Sequence, residues 1–461
     1  MESGSKQQLL KRIASLVSEN KDLKEKQRTL AEAYNRLAGE VDEYKERIEK
    51  AKAEQGDAGK PSCQQTRFDA VTILYAEVQG LSDVVTATNT SEHMDRLDDF
   101  FLRFNAVVEK YQLVKLHSIG DRLICAGGIP EKNITSPITV TLAALEMLHT
   151  VETDLQNSDD PVWGLNIGIH TGTVTALVSG HKRSTCDLKG DTVHVASRIG
   201  SVGKENTVVI SATTYELVKE LFRCCYAGVL PVKYRNRLDL FTVTGIKSEF
   251  SADTNGYLPN DEFRTQLMLV QFSDLQEHVL DRLEKGLPKY LYYHNVKHTV
   301  DVVTESELIG WAEGLNDRQL LLLKTAALFH DTGHIISYAG HEERSVDIAR
   351  ETLPKYNYTP EEIDRICRII MATKLPPQPG DLLEAIICDS DLDYLGRTDF
   401  VPVSNALYAE LKAQNKSLSL NDWNQQQLKF IGSHQYFTKT GRKLREVKKQ
   451  EQIERIKQLI E

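Results

Sequence analysis

Histidine and aspartate residues cluster in the C-terminal half of this 461-residue chain. Five of the 13 histidines fall within 48 consecutive positions: His294, His298, His330, His334 and His341. His330 is followed directly by Asp331, and an acidic string, DSDLD, comes later at 389–393. Imidazoles and carboxylates are the ligands that hold divalent metal ions in hydrolytic enzymes. The pattern therefore predicts a metal centre, against the alternative of an inert helical bundle with hydrogen-bonded core histidines.

Helices are expected to position these side chains. His294 and His298 are four residues apart, a spacing that predicts one shared helix face. His330 follows the apolar run 320–329, so we expect it at the end of a buried helix. Ile363, Cys367 and Ile370 also recur at helical spacing, and the region from 263 to 461 is predicted to be an all-α domain.

Two carboxylates form a second candidate site in the middle of the chain. Glu77 closes a buried strand predicted at 71–77, and Asp121 lies in the turn of a hairpin predicted at 115–126. Carboxylates on adjacent strand ends can hold Mg²⁺ or Mn²⁺ together with a triphosphate. The alternative is an ordinary acidic turn. Strands, hairpins and helices alternate through 67–247, which predicts an α+β domain.

The first fifty residues show a heptad pattern. Leucine recurs every seven residues, at Leu9, Leu16, Leu23, Leu30 and Leu37. A second series three residues away from the leucines includes Asn20, which is suited to fix the register of a parallel pair. We therefore predict a dimerising coiled coil at 1–52, with linkers at 53–66 and 248–262. The alternative is a single surface helix packed on its own chain.

Composition limits the function classes. The chain carries 56 Lys and Arg against 66 Asp and Glu, a net charge of −10. This charge disfavours a protein whose main task is to coat DNA or RNA. No apolar run approaches the length of about 20 residues that a membrane helix needs, and the N-terminus lacks the apolar core of a signal peptide. The seven cysteines include no CxxC pair. We therefore expect a cytoplasmic protein with reduced thiols and with neither nucleic acid nor membrane as partner.

Four strings of the middle domain resemble class III nucleotidyl cyclases, in that family's order: VTILYAEVQGLS (71–82), LHSIGDRLI (116–124), LNIGIHTGTV (165–174) and CDLKGDTVHVASRI (186–199). The resemblance implies a ferredoxin-like α+β fold, Mg²⁺ or Mn²⁺ as cofactor, and in-line attack of the ribose 3′-oxygen on the α-phosphate at a dimer interface. It implies the following roles: Glu77 and Asp121 as metal ligands, His117 and Asp187 at the base, His194 and Arg198 at transition-state charge, and Lys233 at the triphosphate.

Three of these positions depart from the family. Glu77 stands where the family has Asp, His117 where adenine-type members have Lys, and His194 where the family has Asn. Asp187 matches the Asp of adenine-type members, which favours ATP as substrate and cAMP as product. Two interpretations follow: an atypical active cyclase, or a degenerate domain that binds nucleotide and regulates its neighbour.

The order His, His-Asp, Asp over most of 263–400 resembles the HD phosphohydrolase superfamily. Within it, YHNVKHTVDV (293–302) resembles the opening motif of cyclic-nucleotide phosphodiesterases. The resemblance implies four metal ligands: His298, His330, Asp331 and Asp391, with Asp389 as the alternative to Asp391. It implies His294 as general acid, and leaves His334 and His341 for a second metal or the substrate phosphate.

These observations predict a homodimeric enzyme of cyclic-nucleotide signalling. The middle domain is expected to convert ATP to cAMP, and the C-terminal domain to hydrolyse a phosphoester, such as a cyclic nucleotide, with Mn, Fe, Zn or Mg. The alternatives are a nucleotide-binding regulator attached to an active hydrolase, and a hydrolase that acts on nucleoside triphosphates or other phosphoesters.

Overall fold

A mixed β-sheet with helices on both faces forms the middle of the protein. The computed structural model describes residues 64–80, 90–130, 132–157, 164–178, 186–231, 237–414 and 417–460. The strands are β1 (Gln64–Gln79), β2 (Val114–Ile119), β3 (Arg122–Gly127), β4 (Gly164–Val178), β5 (Cys186–Lys189), β6 (Thr207–Ser211), β7 (Phe222–Leu230) and β8 (Leu238–Ile246). In the described residues their order is β2-β3-β1-β4-β6-β8-β7, with β5 beside β4. The predicted α+β sheet is confirmed.

Strand β1 is buried on both of its faces. Leu74 and Ala76 pack into the larger core, whereas Ile73 and Tyr75 pack into a second core on the opposite face. This alternation follows from the two-residue repeat of a strand. The covering helices are α1 (Thr90–Lys110), α2 (Ser136–Asn157), α3 (Asp191–Val202) and α4 (Ala212–Val218).

Helix α3 approaches β4 so closely that glycine is required at the contact. A Cβ added to Gly168 would lie 2.2 Å from the Gly200 nitrogen and 2.3 Å from the Ala196 oxygen, both of them helix backbone atoms. A Cβ on Gly200 would lie 2.7 Å from the Tyr75 ring. Because α3 carries His194 and Arg198, these two glycines set the position of that helix over the sheet.

We expect Gly168→Ala to destabilise the protein by about 3 kcal/mol or more, since backbone atoms would have to move apart to admit the methyl group. Thermal unfolding followed by circular dichroism measures the effect. Gly432→Ala is the matched control, because a Cβ at Gly432 meets nothing within 4 Å and this residue lies in a helix. Equal melting temperatures for the two variants would contradict the close-contact argument.

The C-terminal part is helical, as predicted. Its helices are α5 (Asp261–Gly286), α6 (Val296–Ala312), α7 (Asp317–Phe329), α8 (His341–Thr352), α9 (Pro360–Met371), α10 (Leu382–Asp391), α11 (Phe400–Gln414), α12 (Leu420–Ser433) and α13 (Lys439–Lys457). Short 3₁₀ helices lie at Thr332–Ile335, Leu353–Tyr356 and Asp393–Gly396. Buried apolar residues of α5 to α10 form one continuous core.

The predicted linker at 248–262 packs against the sheet domain. The Tyr257 hydroxyl donates a hydrogen bond of 2.7 Å to Glu152, and its ring stacks 4.6 Å from that of His149. Phe263, at the start of α5, lies edge-on to Phe222 of β7 at 5.7 Å between ring centroids. Residues 65–461 accordingly form one compact unit.

Three sequence predictions fall wholly or mostly outside the described residues: the coiled coil at 1–52, the role of Lys233, and the linker at 53–66, whose last three residues belong to β1. The coiled coil and the role of Lys233 stay predictions, as does the linker up to residue 63. Within the described part of the chain, none of the helices combines the length and apolar character that crossing a bilayer requires.

Candidate metal centre and nucleotide site

Three of the predicted metal ligands converge although they are distant in sequence: His298 lies in α6, His330 directly follows α7, and Asp391 ends α10. His298 Nε2 lies 3.1 Å from Asp391 Oδ1 and 3.4 Å from His330 Nε2. His330 Nε2 lies 3.6 Å from the same Asp391 oxygen. Ligand atoms of the three residues all fall within 4.8 Å of one another, which is the spacing of donors around one metal ion.

Asp331 connects this cluster to a second one. Its Oδ2 lies 3.3 Å from His330 Nε2 and 3.5 Å from His298 Nε2. Its Oδ1 faces the other way, 3.4 Å from His341 Nε2 and 3.8 Å from His334 Nε2. His294, Asp331 and His334 form a second group of potential metal donors with the same 4.8 Å spread. Asp331 thus has one oxygen for each group.

The His330-Asp331 segment is held rigidly at the end of α7. The Ser345 hydroxyl donates to the His330 carbonyl at 2.6 Å and accepts from the Gly333 amide at 2.8 Å. Gly333 approaches the next helix so closely that a Cβ there would lie 1.9 Å from the His341 carbonyl oxygen. These contacts fix His330, Asp331 and His341 relative to one another.

Backbone carbonyls orient two of the imidazoles. His330 Nδ1 lies 2.7 Å from the Ala327 carbonyl oxygen, and His341 Nδ1 lies 3.1 Å from that of Tyr338. When Nδ1 donates to a carbonyl, Nε2 is left as the ligand atom, and this is the usual second interaction of a metal-binding histidine. Both Nε2 atoms face Asp331.

Buried polar atoms without partners show that the donor set fits divalent metal ions. Among the described residues, Asp331 Oδ2 and both ring nitrogens of His334 are buried and have no hydrogen-bond partner. Such atoms are costly unless something else satisfies them. Burial lowers the pKa of His334 to about 3, so its imidazole is neutral, the form that binds metals.

With no ion bound, the carboxylates beside His330 favour its protonated form and the imidazoles beside Asp331 favour its ionised form, and a metal ion would displace the proton of His330. Burial lowers the pKa of His330, but the Asp331 and Asp391 carboxylates together outweigh burial and hold that pKa well above its ordinary value. Burial in turn raises the pKa of Asp331, but His330, with smaller contributions from His294 and His334, outweighs burial and holds that pKa well below the ordinary range. Asp331 is therefore ionised and available to a cation.

The structure separates the two acids that the sequence left as alternatives. Asp391 faces His298 and His330, whereas Asp389 points away from the cluster. Asp389 accepts hydrogen bonds of 2.8 Å from the amides of Phe437 and Thr438 and of 2.7 Å from the Thr438 hydroxyl. Its contacts are those of a structural carboxylate that fastens the segment before α13.

His294 does not share a helix face with His298, and that prediction is wrong. Helix α6 begins at Val296, and Asn295 caps it, its side-chain oxygen accepting from the amides of Lys297 and His298. His294 lies before this cap. Its Nδ1 lies 2.5 Å from Oε1 of Glu410, a residue of α11.

Glu410 is a candidate site residue that the sequence reasoning missed. It is fully buried, and its Oε2 also accepts hydrogen bonds from the amides of Tyr293 and His294, at 3.0 and 3.2 Å. Burial lowers the pKa of His294, but the hydrogen bond to Glu410 and the carboxylate charges outweigh it and raise that pKa above its ordinary value. Leu407 and Leu411 lie close to Glu410 on α11. An acidic residue beside apolar residues of a helix is the sequence signal that could have identified Glu410 as buried.

A cleft of about 650 Å³ opens onto this group of candidate metal ligands. Its lining includes His294, Asp331, His334 and Asp391 on one side and Gln427 and Phe430 of α12 on the other. The volume lies in the range of small-molecule sites, about 300–1,000 Å³. A larger cleft, about 1650 Å³, lies between α2 and α5 and is lined by none of the predicted site residues.

The predicted cyclase residues lie in and around the sheet. His194 and Arg198 are both exposed on α3, as their spacing predicts, and His117 is exposed on β2. Asp187 pairs with Leu177 across β5 and β4 through its backbone, and its side chain is outside the described atoms. Glu77, near the end of β1, pairs with Arg122 of β3, and Asp121 lies in the turn between β2 and β3, so the two acids lie at neighbouring strand ends, as predicted.

An arginine that the sequence reasoning did not single out lies between those two acids. Arg122 Nε donates to Glu77 Oε1 at 2.9 Å and lies 3.6 Å from Asp121 Oδ1. A cationic side chain therefore neutralises part of the charge that a metal pair would need.

Two family models match the chain. Residues 63–245 match the model described as adenylate and guanylate cyclase catalytic domain, and residues 295–394 match the HD domain model. The chain thus contains a cyclase catalytic domain and, C-terminal to it, an HD domain.

Similar curated proteins include two guanylyl cyclases. Guanylate cyclase 32E of Drosophila melanogaster is 28% identical over 238 residues, which cover 50% of this chain and 19% of the relative. Human guanylyl cyclase C is 29% identical over 215 residues, covering 45% of this chain and 20% of the relative. The chain therefore spans about a fifth of the length of these relatives.

A solved structure also resembles the chain: the guanylate cyclase domain of RhGC from Catenaria anguillulae in complex with GTP. The two are 25% identical, and the match covers 40% of this chain and 100% of that chain with a TM-score of 0.36.

Proposed function

We propose that the protein acts in cyclic-nucleotide signalling, and that its HD domain hydrolyses the cyclic phosphodiester of cAMP or cGMP. The observation that carries this proposal is the convergence of His298, His330, Asp331 and Asp391 beside the His294–Glu410 pair at one cleft. The cluster would hold one or two divalent ions (Mn, Fe, Zn or Mg). When bound, such ions supply Lewis acidity toward phosphoryl oxygens and make water acidic.

His294 is the proposed general acid. Its raised pKa favours the protonated imidazole, which can donate a proton to the ribose oxygen that leaves phosphorus. Glu410 holds Nδ1 of the ring, which leaves Nε2 for the proton transfer. His294 lines the cleft, where it can reach a bound ester.

The far side of the cleft suits a purine base. The Ser404 hydroxyl donates to Gln427 Oε1 at 2.8 Å, and this leaves the Gln427 amide nitrogen as a donor. Purine edges carry acceptors at N1 of adenine and O6 of guanine. The nearby Phe430 ring offers an apolar face for stacking.

For the cyclase domain we propose binding of a purine nucleoside triphosphate. One version is the cyclisation of ATP to cAMP with Mg²⁺ or Mn²⁺, using Arg198 and His194, with Asp187 and His117 at the base and Lys233 at the phosphates. The curated relatives are named guanylate or guanylyl cyclases, so GTP is an equal candidate substrate and cGMP an equal candidate product. The other version, nucleotide binding without cyclisation, is favoured by the contact of Arg122 with Glu77.

Three further points remain predictions: the domain limits 67–247 and 263–461, the homodimer through a parallel coiled coil at 1–52, and the cytoplasmic location.

The test is incubation of the full-length protein with ATP, GTP, cAMP and cGMP separately, with the metal ions varied and products identified by mass spectrometry. We expect 5′-AMP or 5′-GMP from the cyclic nucleotides. A His330→Ala variant should lose that hydrolysis and keep any cyclase activity. Full hydrolysis by this variant, or no hydrolysis of either cyclic nucleotide with any metal, would contradict the proposal.

A further inference from the structure

Glu77 and Arg122 form a cross-strand pair that the sheet itself enforces. The antiparallel register of β1 and β3 sets Glu77 directly opposite Arg122, and directly opposed residues project from the same face of a sheet. The Arg122 Nε–Glu77 Oε1 distance of 2.9 Å is that of a charge-assisted hydrogen bond. The Glu77 side chain is only 12% exposed, so the contact lies at the edge of the core.

This pair does not fit a site for two divalent metal ions. The Arg122 guanidinium lies 2.9 Å from a Glu77 oxygen and 3.6 Å from an Asp121 oxygen. A Mg²⁺ ion would have to approach each carboxylate to about 2.0–2.1 Å, beside this fixed positive charge. The three side chains together carry one net negative charge, where two unpaired carboxylates would carry two.

The outer end of Arg122 is available to a ligand. The side chain is 58% exposed, and among the described residues its two terminal nitrogens have no hydrogen-bond partner. Glu77 uses only Nε, so it fixes the guanidinium plane and leaves the terminal N–H groups free. An anchored guanidinium binds phosphate oxygens through two parallel hydrogen bonds.

We propose that Arg122 takes the place of a metal ion in the cyclase domain and binds the phosphates of a purine nucleoside triphosphate directly. The inference rests on the proposed nucleotide binding by this domain and specifies how it occurs. Binding then does not require a divalent ion. The domain acts as a nucleotide sensor, because a single guanidinium neutralises phosphate charge without activating the ribose hydroxyl.

The experiment measures binding of fluorescent ATP and GTP analogues to the full-length protein, in EDTA and in Mg²⁺. EDTA also removes metal from the HD cluster and so prevents hydrolysis during the titration. We expect wild-type Kd values that differ by less than about threefold between the two buffers, and Arg122→Ala to weaken binding in EDTA by about tenfold or more.

Arg67→Ala is the matched control. Arg67 is also an exposed arginine of the sheet, and its Nε pairs with Asp69 at 3.2 Å. Its loss should leave both Kd values unchanged. Arg122→Lys should bind with intermediate affinity, since a lysine keeps the charge but not the planar fork. The double variant Glu77→Asp/Arg122→Ala, which frees two carboxylates, should bind only with Mg²⁺.

Two results would overturn the inference alone: wild-type binding only in Mg²⁺, or equal binding by wild type and Arg122→Ala in EDTA. Absence of binding of either analogue in both buffers would overturn the proposed nucleotide binding as well. Hydrolysis of cAMP and cGMP by the same preparations, in metal-containing buffer, reports separately on the HD domain and on correct folding of the variants.

Discussion

Asp391→Asn should lower hydrolysis of the cyclic nucleotide by about a thousandfold or more, because a metal site contributes several kcal/mol to stabilising transition-state charge. Asp391 Oδ1 lies 3.1 Å from His298 Nε2 and 3.6 Å from His330 Nε2. An amide at this position removes an anionic ligand from between two histidines. Metal content by mass spectrometry and steady-state hydrolysis measure the two consequences together.

Asp389→Asn is the matched control, two positions away on the same helix. Its carboxylate accepts three hydrogen bonds from Phe437 and Thr438 and makes no contact with the cluster. We expect this variant to keep its metal and most of its kcat, and to unfold at a lower temperature, with a loss of about 1–3 kcal/mol. If Asp389→Asn lost the metal and Asp391→Asn kept it, the assignment of the two acids would be reversed.

This pair of acids shows where sequence reasoning reaches its limit. The order of the candidate ligands could be proposed from the resemblance to the HD phosphohydrolase superfamily, since His330-Asp331 is a local motif at the end of an apolar run. Asp389 and Asp391 are both acids at the end of one short helix, and their sequence environments are alike. Only packing distinguishes them: Asp389 is fully buried against the segment before α13, whereas Asp391 faces the cleft.

Contacts distant in sequence account for the other omissions. Glu410 lies 116 positions from His294, and no local spacing joins them. Arg122 contacts Glu77 because the register of β1 and β3 sets the two residues opposite each other. The sequence predicted the β2–β3 hairpin that contains Arg122 but not its pairing with β1. The wrong helix assignment of His294 had a local cause, since Asn295 is a favoured N-cap residue and marks α6 as starting after it. The sheet and the helical domain were predicted well because their apolar periodicity is local.

His294→Gln should reduce kcat for cAMP or cGMP by about 10²- to 10⁴-fold, the usual contribution of general acid catalysis. A ribose oxygen is a poor leaving group until it is protonated, and His294, whose pKa is raised, lines the cleft. Glu410→Gln tests how that proton is held. Without the Glu410 charge, the pKa of His294 falls, so the acid is deprotonated at lower pH. The high-pH limb of the kcat profile should therefore move to lower pH.

A substrate with an acidic leaving group separates this role from a structural one. The p-nitrophenolate released from bis(p-nitrophenyl) phosphate is stable without protonation, so its hydrolysis should be nearly insensitive to His294→Gln. Damage to the metal site would instead slow the hydrolysis of both substrates equally, since bound ions would polarise the phosphoryl oxygens of each. Equal losses on both substrates would mean that His294 positions the cluster, as its place in the group with Asp331 and His334 allows. A loss confined to the cyclic nucleotide identifies His294 as the proton donor.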